Sequence, residues 1–263
     1  MKRLCRVLFS ILFAGLATNA VADSQDDLAK QLANPIASLI SLPFQLNYDS
    51  GFGAAGQGSR TTLNIQPVIP FELNEDWNVI SRTIVPLIWQ DDFTPGTSQS
   101  GMGDIVQSFF FSPKAPTSSG WIWGIGPVFL LPTATDVALG QDQFGAGITG
   151  VALKQTGPWT YGALVNHIWD VGGSTTEINS TYFQPFVSYV TPTKWTFSVN
   201  TETTYNWVND TANVPVNLTA TKLIKIGKRP VSIGGGLRYW ADSPVGGATG
   251  WGGRIIMTFL FPK

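Results

Sequence analysis

The sequence has little charge, one cysteine, one histidine and, beyond its leader, no long apolar run. Charged residues make up 13% of the 263, about half the ordinary share of roughly 25%. The lone Cys5 sits in the first residues, so the rest of the chain can build neither a disulfide framework nor a cysteine–zinc site. Once Lys2, Arg3 and Arg6 are set aside with the leader, 13 basic residues face 17 acidic ones, a balance of −4. No basic domain points to nucleic acid, and no charge run forms a tail. After the leader no eighteen-residue apolar stretch occurs, which excludes helical membrane spans. Gly124-x-Gly126 and Gly145-x-Gly147 precede no helix, so they make no phosphate loop, and no cofactor is expected.

Aromatic residues are plentiful at 12%, with 10 Trp and 16 Phe. The N-terminus reads as a secretory signal over residues 1–22. Lys2, Arg3 and Arg6 form its positive region, 7–16 its short apolar core, and Ala20-Val21-Ala22 its cleavage site. Asp23 is then the expected start of the mature chain. Residues 23–42 do not alternate: Leu28, Leu32, Ile36, Leu39 and Ile40 recur at helical spacing. Ser24 is a candidate N-cap, Asp26 and Asp27 fall in the first turn, and Pro35 interrupts the helix near Asn34. Such a segment either caps the periplasmic rim of the domain that follows or plugs its interior.

From residue 43 to the end, period two dominates. In 195–205 the odd positions are mostly apolar or aromatic and the even ones polar; 159–169 and 251–261 behave likewise. Such long alternating runs exceed a soluble strand and fit a tilted membrane strand. They predict an all-β fold, a closed antiparallel transmembrane barrel of about twelve strands. The predicted strands are 43–50, 60–71, 77–89, 104–112, 121–132, 144–154, 159–170, 180–190, 195–206, 214–226, 230–240 and 251–261. Tight turns alternate with longer loops rich in Gly, Ser, Thr and Asp, so both termini lie in the periplasm.

Trp77, Trp121, Trp159 and Trp195 each follow a tight turn, spaced by 44, 38 and 36 residues. Trp89, Trp169, Trp207, Trp240 and Trp251 fall at the opposite strand ends. Intervals of 10 to 12 residues between the two sets cover roughly 23–28 Å of depth at ~45° tilt, the height of an apolar band between aromatic girdles. Pro67, Pro86, Pro127, Pro185 and Pro215 fall inside predicted strands. A closed barrel has no edge to receive them, so bulges or shifted boundaries are expected there.

Charged residues within the strands must face the lumen, since lipid exposure costs about 2–4 kcal/mol near the midplane. Arg82, Arg238, Arg254 and Glu202 are therefore lumen candidates, with Asn200 and Asn217 beside them. They either fill a narrow bore as a salt-bridged ladder or line a channel as a selectivity ring. His167 lies on the outward face of its strand and lacks a serine with an orienting partner, so no catalytic residue is assigned. Asp91, Asp92 and Asp104 stand at the outer rim without the spacing of a calcium loop.

Several blocks carry a family resemblance: Leu32-Ala33-Asn34-Pro35-Ile36-Ala37-Ser38-Leu39-Ile40-Ser41-Leu42-Pro43-Phe44-Gln45, then Asn47-Tyr48-Asp49-Ser50-Gly51-Phe52-Gly53. Asn64-Ile65-Gln66-Pro67-Val68-Ile69-Pro70-Phe71, Ser81-Arg82-Thr83-Ile84-Val85-Pro86-Leu87, Gly101-Met102-Gly103-Asp104-Ile105 and the closing Phe259-Leu260-Phe261-Pro262-Lys263 continue it. The chain resembles the bacterial family named after the phenol meta-degradation pathway, whose members are labelled transporters. That resemblance implies an outer-membrane barrel passing small hydrophobic or aromatic compounds. Its expected partners are outer-membrane lipid, the barrel-assembly machinery and a small-molecule solute, in a Gram-negative cell.

Overall fold

The computed structural model describes residues 27–172 and 177–262. The leader, Ser24 and Asp26 lie outside the described residues. Twelve staves build the barrel: β1 (Ile40–Phe52), β2 (Gly58–Ile65 and Val68–Glu72), β3 (Trp77–Asp91), β4 (Ser98–Met102 and Ile105–Pro113), β5 (Trp121–Leu131), β6 (Gly145–Thr156), β7 (Trp159–Asp170), β8 (Asn179–Val190), β9 (Trp195–Thr201 and Thr203–Asn206), β10 (Thr211–Ile226), β11 (Arg229–Asp242) and β12 (Gly250–Phe261). Each pairs antiparallel with its neighbours in sequence. The pairing of β1 with β12, from Ile40 opposite Phe261 to Tyr48 opposite Gly253, closes the sheet. Closure removes the exposed edges that an open sheet would carry.

Burial is inverted relative to a soluble protein. Ile255 is 60% exposed, Ile148 58% and Leu237 55%, whereas Asn217 is wholly buried and Arg254 4% exposed. An apolar exterior around a polar interior is stable only where lipid takes the place of water outside. One predicted loop was too long. Residues 98–102 pair with 87–91 and lengthen the β3–β4 hairpin, so the turn there narrows to 92–97.

The prolines fall where the ladder breaks. Opposite Pro86 the register slips by one residue: Ile84 faces Val106, whereas Leu87 faces Met102. The slip leaves Gly103 and Asp104 outside the strand, with the Gly103 N–H donating to the Pro86 carbonyl at 2.9 Å. Pro215 adjoins a second bulge, since Val214 faces Asp242 while Pro215 faces Trp240. Pro67 instead interrupts β2 without changing the register. Pro127 leaves a gap in the β4–β5 ladder in the same way. Pro185 lies beside the break that splits β9 at Glu202.

The N-terminal segment enters the barrel. Residues 27–32 are helical, and the helix stops before Pro35. The Asn34 side chain accepts the Ile36 N–H at 3.0 Å. Ile36 then packs against Ile80, Phe110, Leu153 and Leu164 from four staves. Leu28, Ala29 and Leu39 pack against Val190, Leu223 and Leu260 on the other side. Gln155 Nε2 and Asn78 Nδ2 tie it to the wall through the Lys30 carbonyl, at 2.8 Å, and Ser38 Oγ, at 2.9 Å. The segment thus packs inside the wall at the end of the barrel where β1 begins.

Candidate functional site

The lumen charges form a closed cluster on β1, β9, β11 and β12. Arg238 stands opposite Gly252, and Arg254 opposite Gly236. A long side chain facing a glycine on the next strand leaves both guanidinium groups room to converge. Glu202 receives them: Arg254 donates Nη1 to Oε1 at 2.9 Å and Nη2 to Oε2 at 2.7 Å. Arg238 Nη1 donates to Oε2 at 2.9 Å. Arg254 Nε reaches Asn47 Oδ1 at 2.7 Å. Arg238 Nε lies 2.9 Å from Asp49 Oδ1 as an ion pair, without the alignment of a hydrogen bond. Asn217 bridges onward, accepting from Arg238 at 3.3 Å and donating to Asn200 Oδ1 at 2.8 Å. Two cations meet two carboxylates, so the cluster neutralises itself.

The local fold explains the position of Glu202. The ladder breaks at Glu202 between Pro185 on β8 and Pro215 on β10, and the Glu202 N–H donates to the Pro215 carbonyl at 3.2 Å. The missing donors of the two prolines coincide with the point where β9 presents its only carboxylate to the lumen.

Arg82 stands apart from this cluster. Its Nη2 donates to Gln66 Oε1 at 3.1 Å. Among the described residues no carboxylate lies within ion-pair distance of it. Two chambers meet at its level. The outer one, of about 550 Å³, has an apolar side that includes Ile84, Val106, Leu130, Leu139 and Ile168, and a polar side of Asn and Ser. The inner one, of about 260 Å³, lies toward the plug and is lined by Thr219, Thr221 and Thr258, among others. Gln45, Gln66, Arg82 and Glu202 line both and so stand where the two adjoin.

The β5–β6 loop covers part of the outer chamber. Asp136 caps a single 3-10 turn, Val137–Leu139, by accepting the Ala138 N–H. The Asp104 carboxylate holds the loop by accepting the Ala134 N–H at 3.1 Å and the Gln141 N–H at 2.5 Å. Asp92 accepts the Gly96 N–H in its own turn. Asp92 and Asp104 therefore serve backbone donors, and among the described residues no metal-binding group of acids gathers.

His167 faces outward on β7. Its Nδ1 lies 2.7 Å from Thr181 Oγ1, which also accepts from Trp207 Nε1 at 2.8 Å. Its Nε2 is buried without a partner. Threonine, not serine, is thus the hydroxyl at His167, and no carboxylate orients the ring. Cross-strand register, invisible in alternation alone, sets His167 directly opposite Thr181.

Trp77, Trp121, Trp159 and Trp195 each open a stave at the end of the barrel where the N-terminal segment enters. Trp121 packs edge-on to Tyr161, and Trp159 to Tyr189. Trp89, Trp169, Trp207 and Trp251 are exposed at the other end. Trp240 departs from the expected girdle. Alternation along β11 puts Tyr239 outside, against Trp251 at 4.9 Å, and Trp240 inside. There Trp240 donates Nε1 to Asp49 Oδ1 at 2.8 Å and lies 4.9 Å from the Arg238 guanidinium carbon. Sequence reasoning also missed Asn47 and Asp49. Both alternate in phase with Gln45 on the lumen face of β1, which was the available signal.

No protein-family model matches the chain, and no curated protein matches it. Among solved structures the barrel is similar to the COG4313 outer membrane channel from Pseudomonas putida F1, at 12% identity and a TM-score of 0.65, covering 85% of this chain and 96% of that one. It is also similar to the outer membrane phospholipase of Salmonella typhi, at 10% identity and a TM-score of 0.50, covering 84% and 91%. The Escherichia coli outer membrane phospholipase A aligns equally well, at 10% identity and a TM-score of 0.50, covering 84% and 90%. At these identities the likeness is one of fold: a closed twelve-stranded barrel of the outer-membrane type.

Proposed function

We propose that this chain is an outer-membrane channel for small apolar or aromatic solutes, exported with cleavage of residues 1–22 and inserted by the barrel-assembly machinery. One observation carries the reading: two chambers lie inside a lipid-facing barrel and share four lining side chains. A barrel that served as a rigid anchor would gain stability from a filled lumen, since unfilled volume forfeits packing contacts. The resemblance to the phenol meta-degradation family and the likeness to a solved outer-membrane channel point the same way.

The barrel performs no lipid hydrolysis in this reading. A histidine needs a nucleophile it can deprotonate and a third group to orient it; His167 has the Thr181 hydroxyl, but among the described residues nothing meets its Nε2, which is buried without a partner. Two assays test the proposal. Vesicles with a lipopolysaccharide outer leaflet and this protein should take up phenol faster than protein-free vesicles. Uptake at the protein-free rate would overturn the channel, and release of fatty acid from the same vesicles would overturn the absence of catalysis.

A further inference from the structure

We propose that the floor of the outer chamber is a recognition site for an organic anion, an aromatic or short aliphatic carboxylate, with Arg82 as the residue that reads its charge. This deepens the channel reading and rests on it. Four arginines face the lumen among the described residues, but they are not equivalent. Arg60, opposite Asp49, donates Nε and Nη2 to Gln90 Oε1 and lies against the Phe52 and Phe93 rings. Arg238 and Arg254 share Glu202 and are further held by Asp49 and Asn47. Glu202 in turn has both oxygens taken by guanidinium donors, so it repels an entering anion weakly.

Among the described residues, the Arg82 guanidinium has only Gln66 as a hydrogen-bond partner. A guanidinium has five N–H donors in a planar fork matched to a carboxylate, and at Arg82 only one of them is engaged within the protein. Its position fits the same role. Arg82 lines both chambers, so it is within reach of a molecule held in either one.

The chamber above it selects the remainder of the ligand. Ile84, Val106, Leu130, Leu139 and Ile168 form an apolar wall, while Asn166, Asn179 and Asn206 stand among its polar groups. A volume of about 550 Å³ lies in the range of ligand pockets, about 300–1,000 Å³. A neutral hydrocarbon would gain the wall but leave the Arg82 fork unmatched, and inorganic phosphate would gain the fork but not the wall. A benzoate-like molecule uses both. Asp104 and Glu177 also line the chamber. Asp104 already holds the β5–β6 loop, and Glu177 lies on the outer β7–β8 connection, away from the floor.

Calorimetric titration of detergent-solubilised full barrel with benzoate, and separately with its neutral analogue benzyl alcohol, tests the site. The native protein should bind benzoate at least about tenfold more tightly than benzyl alcohol, the worth of one to two charge-assisted hydrogen bonds. Arg82→Gln should bring benzoate down to the level of benzyl alcohol and leave benzyl alcohol unchanged, while Arg82→Lys should retain part of the preference. Heat-dependent gel migration shows that each variant is a folded barrel. Equal binding of the two compounds, undetectable benzoate binding, or an unchanged preference in folded Arg82→Gln would each overturn the inference. Phenol uptake at the protein-free rate, with the benzoate preference intact, would instead overturn the channel reading and leave the anion site standing.

Discussion

Replacing Glu202 by glutamine tests whether the lumen cluster is held by charge. The substitution keeps the shape but removes the one carboxylate shared by Arg238 and Arg254, and sets an amide NH₂ against a guanidinium. Three donations, at 2.9, 2.9 and 2.7 Å, are lost or weakened. The side chains involved are little exposed, 2% for Arg254, 9% for Arg238 and 18% for Glu202. Removing one partner of a buried ion pair costs about 3–5 kcal/mol. The chambers on either side admit water, and Asp49 still faces Arg238, so the lower end applies, about 3 kcal/mol. Urea unfolding from phospholipid vesicles, followed by tryptophan fluorescence, measures it. A cycle with Arg254→Met should return a coupling of about 2 kcal/mol with Glu202→Gln. A Glu202→Gln barrel within about 0.5 kcal/mol of the native one, the range of an ordinary surface change, would refute the idea that the cluster stabilises the wall.

Ile36→Ala should loosen the plug, since it empties a site enclosed by Ile80, Phe110, Leu153 and Leu164; the cost is about 2–5 kcal/mol. Limited proteolysis from the periplasmic side should then remove the N-terminal segment faster, and bilayer conductance should rise. Trp240→Phe should destabilise the barrel by about 1.5–3 kcal/mol, the worth of the lost donation to the Asp49 carboxylate, in the same urea assay. Trp251→Phe, at the lipid boundary, keeps its apolar contact and should cost less.

The barrel was legible in the sequence because alternation is a local property. Each stretch such as 159–170 states its own facing, and the observed β7 has those bounds. Tight turns and prolines mark ends and breaks in the same local way. The lumen was legible as a set of inward charges but not as a circuit. That Arg238 and Arg254 converge follows from the hairpin that joins their strands. That both meet Glu202 depends on the register of the three ladders between β9 and β12, and that Asp49 and Asn47 complete the set depends on the β1–β12 seam. Trp240 was misplaced because its position at a strand end outweighed its parity, and parity decides which face a side chain occupies. Arg82 shows the reverse: its facing was readable, but its lack of a carboxylate partner depends on every wall of the lumen at once.

The plug is continuous with β1, and this couples its seat to the closure of the barrel. Ile36 has its neighbours on β3, β4, β6 and β7, all within one half of the sheet. Leu39 and Leu28 pack with Val190, Leu223 and Leu260, and Leu260 sits on β12, the stave that closes the wall against β1. Half of the seat is therefore independent of the seam and half is built across it. Whatever opens the β1–β12 seam also strips the plug of that second half, so the wall and the plug share their stability.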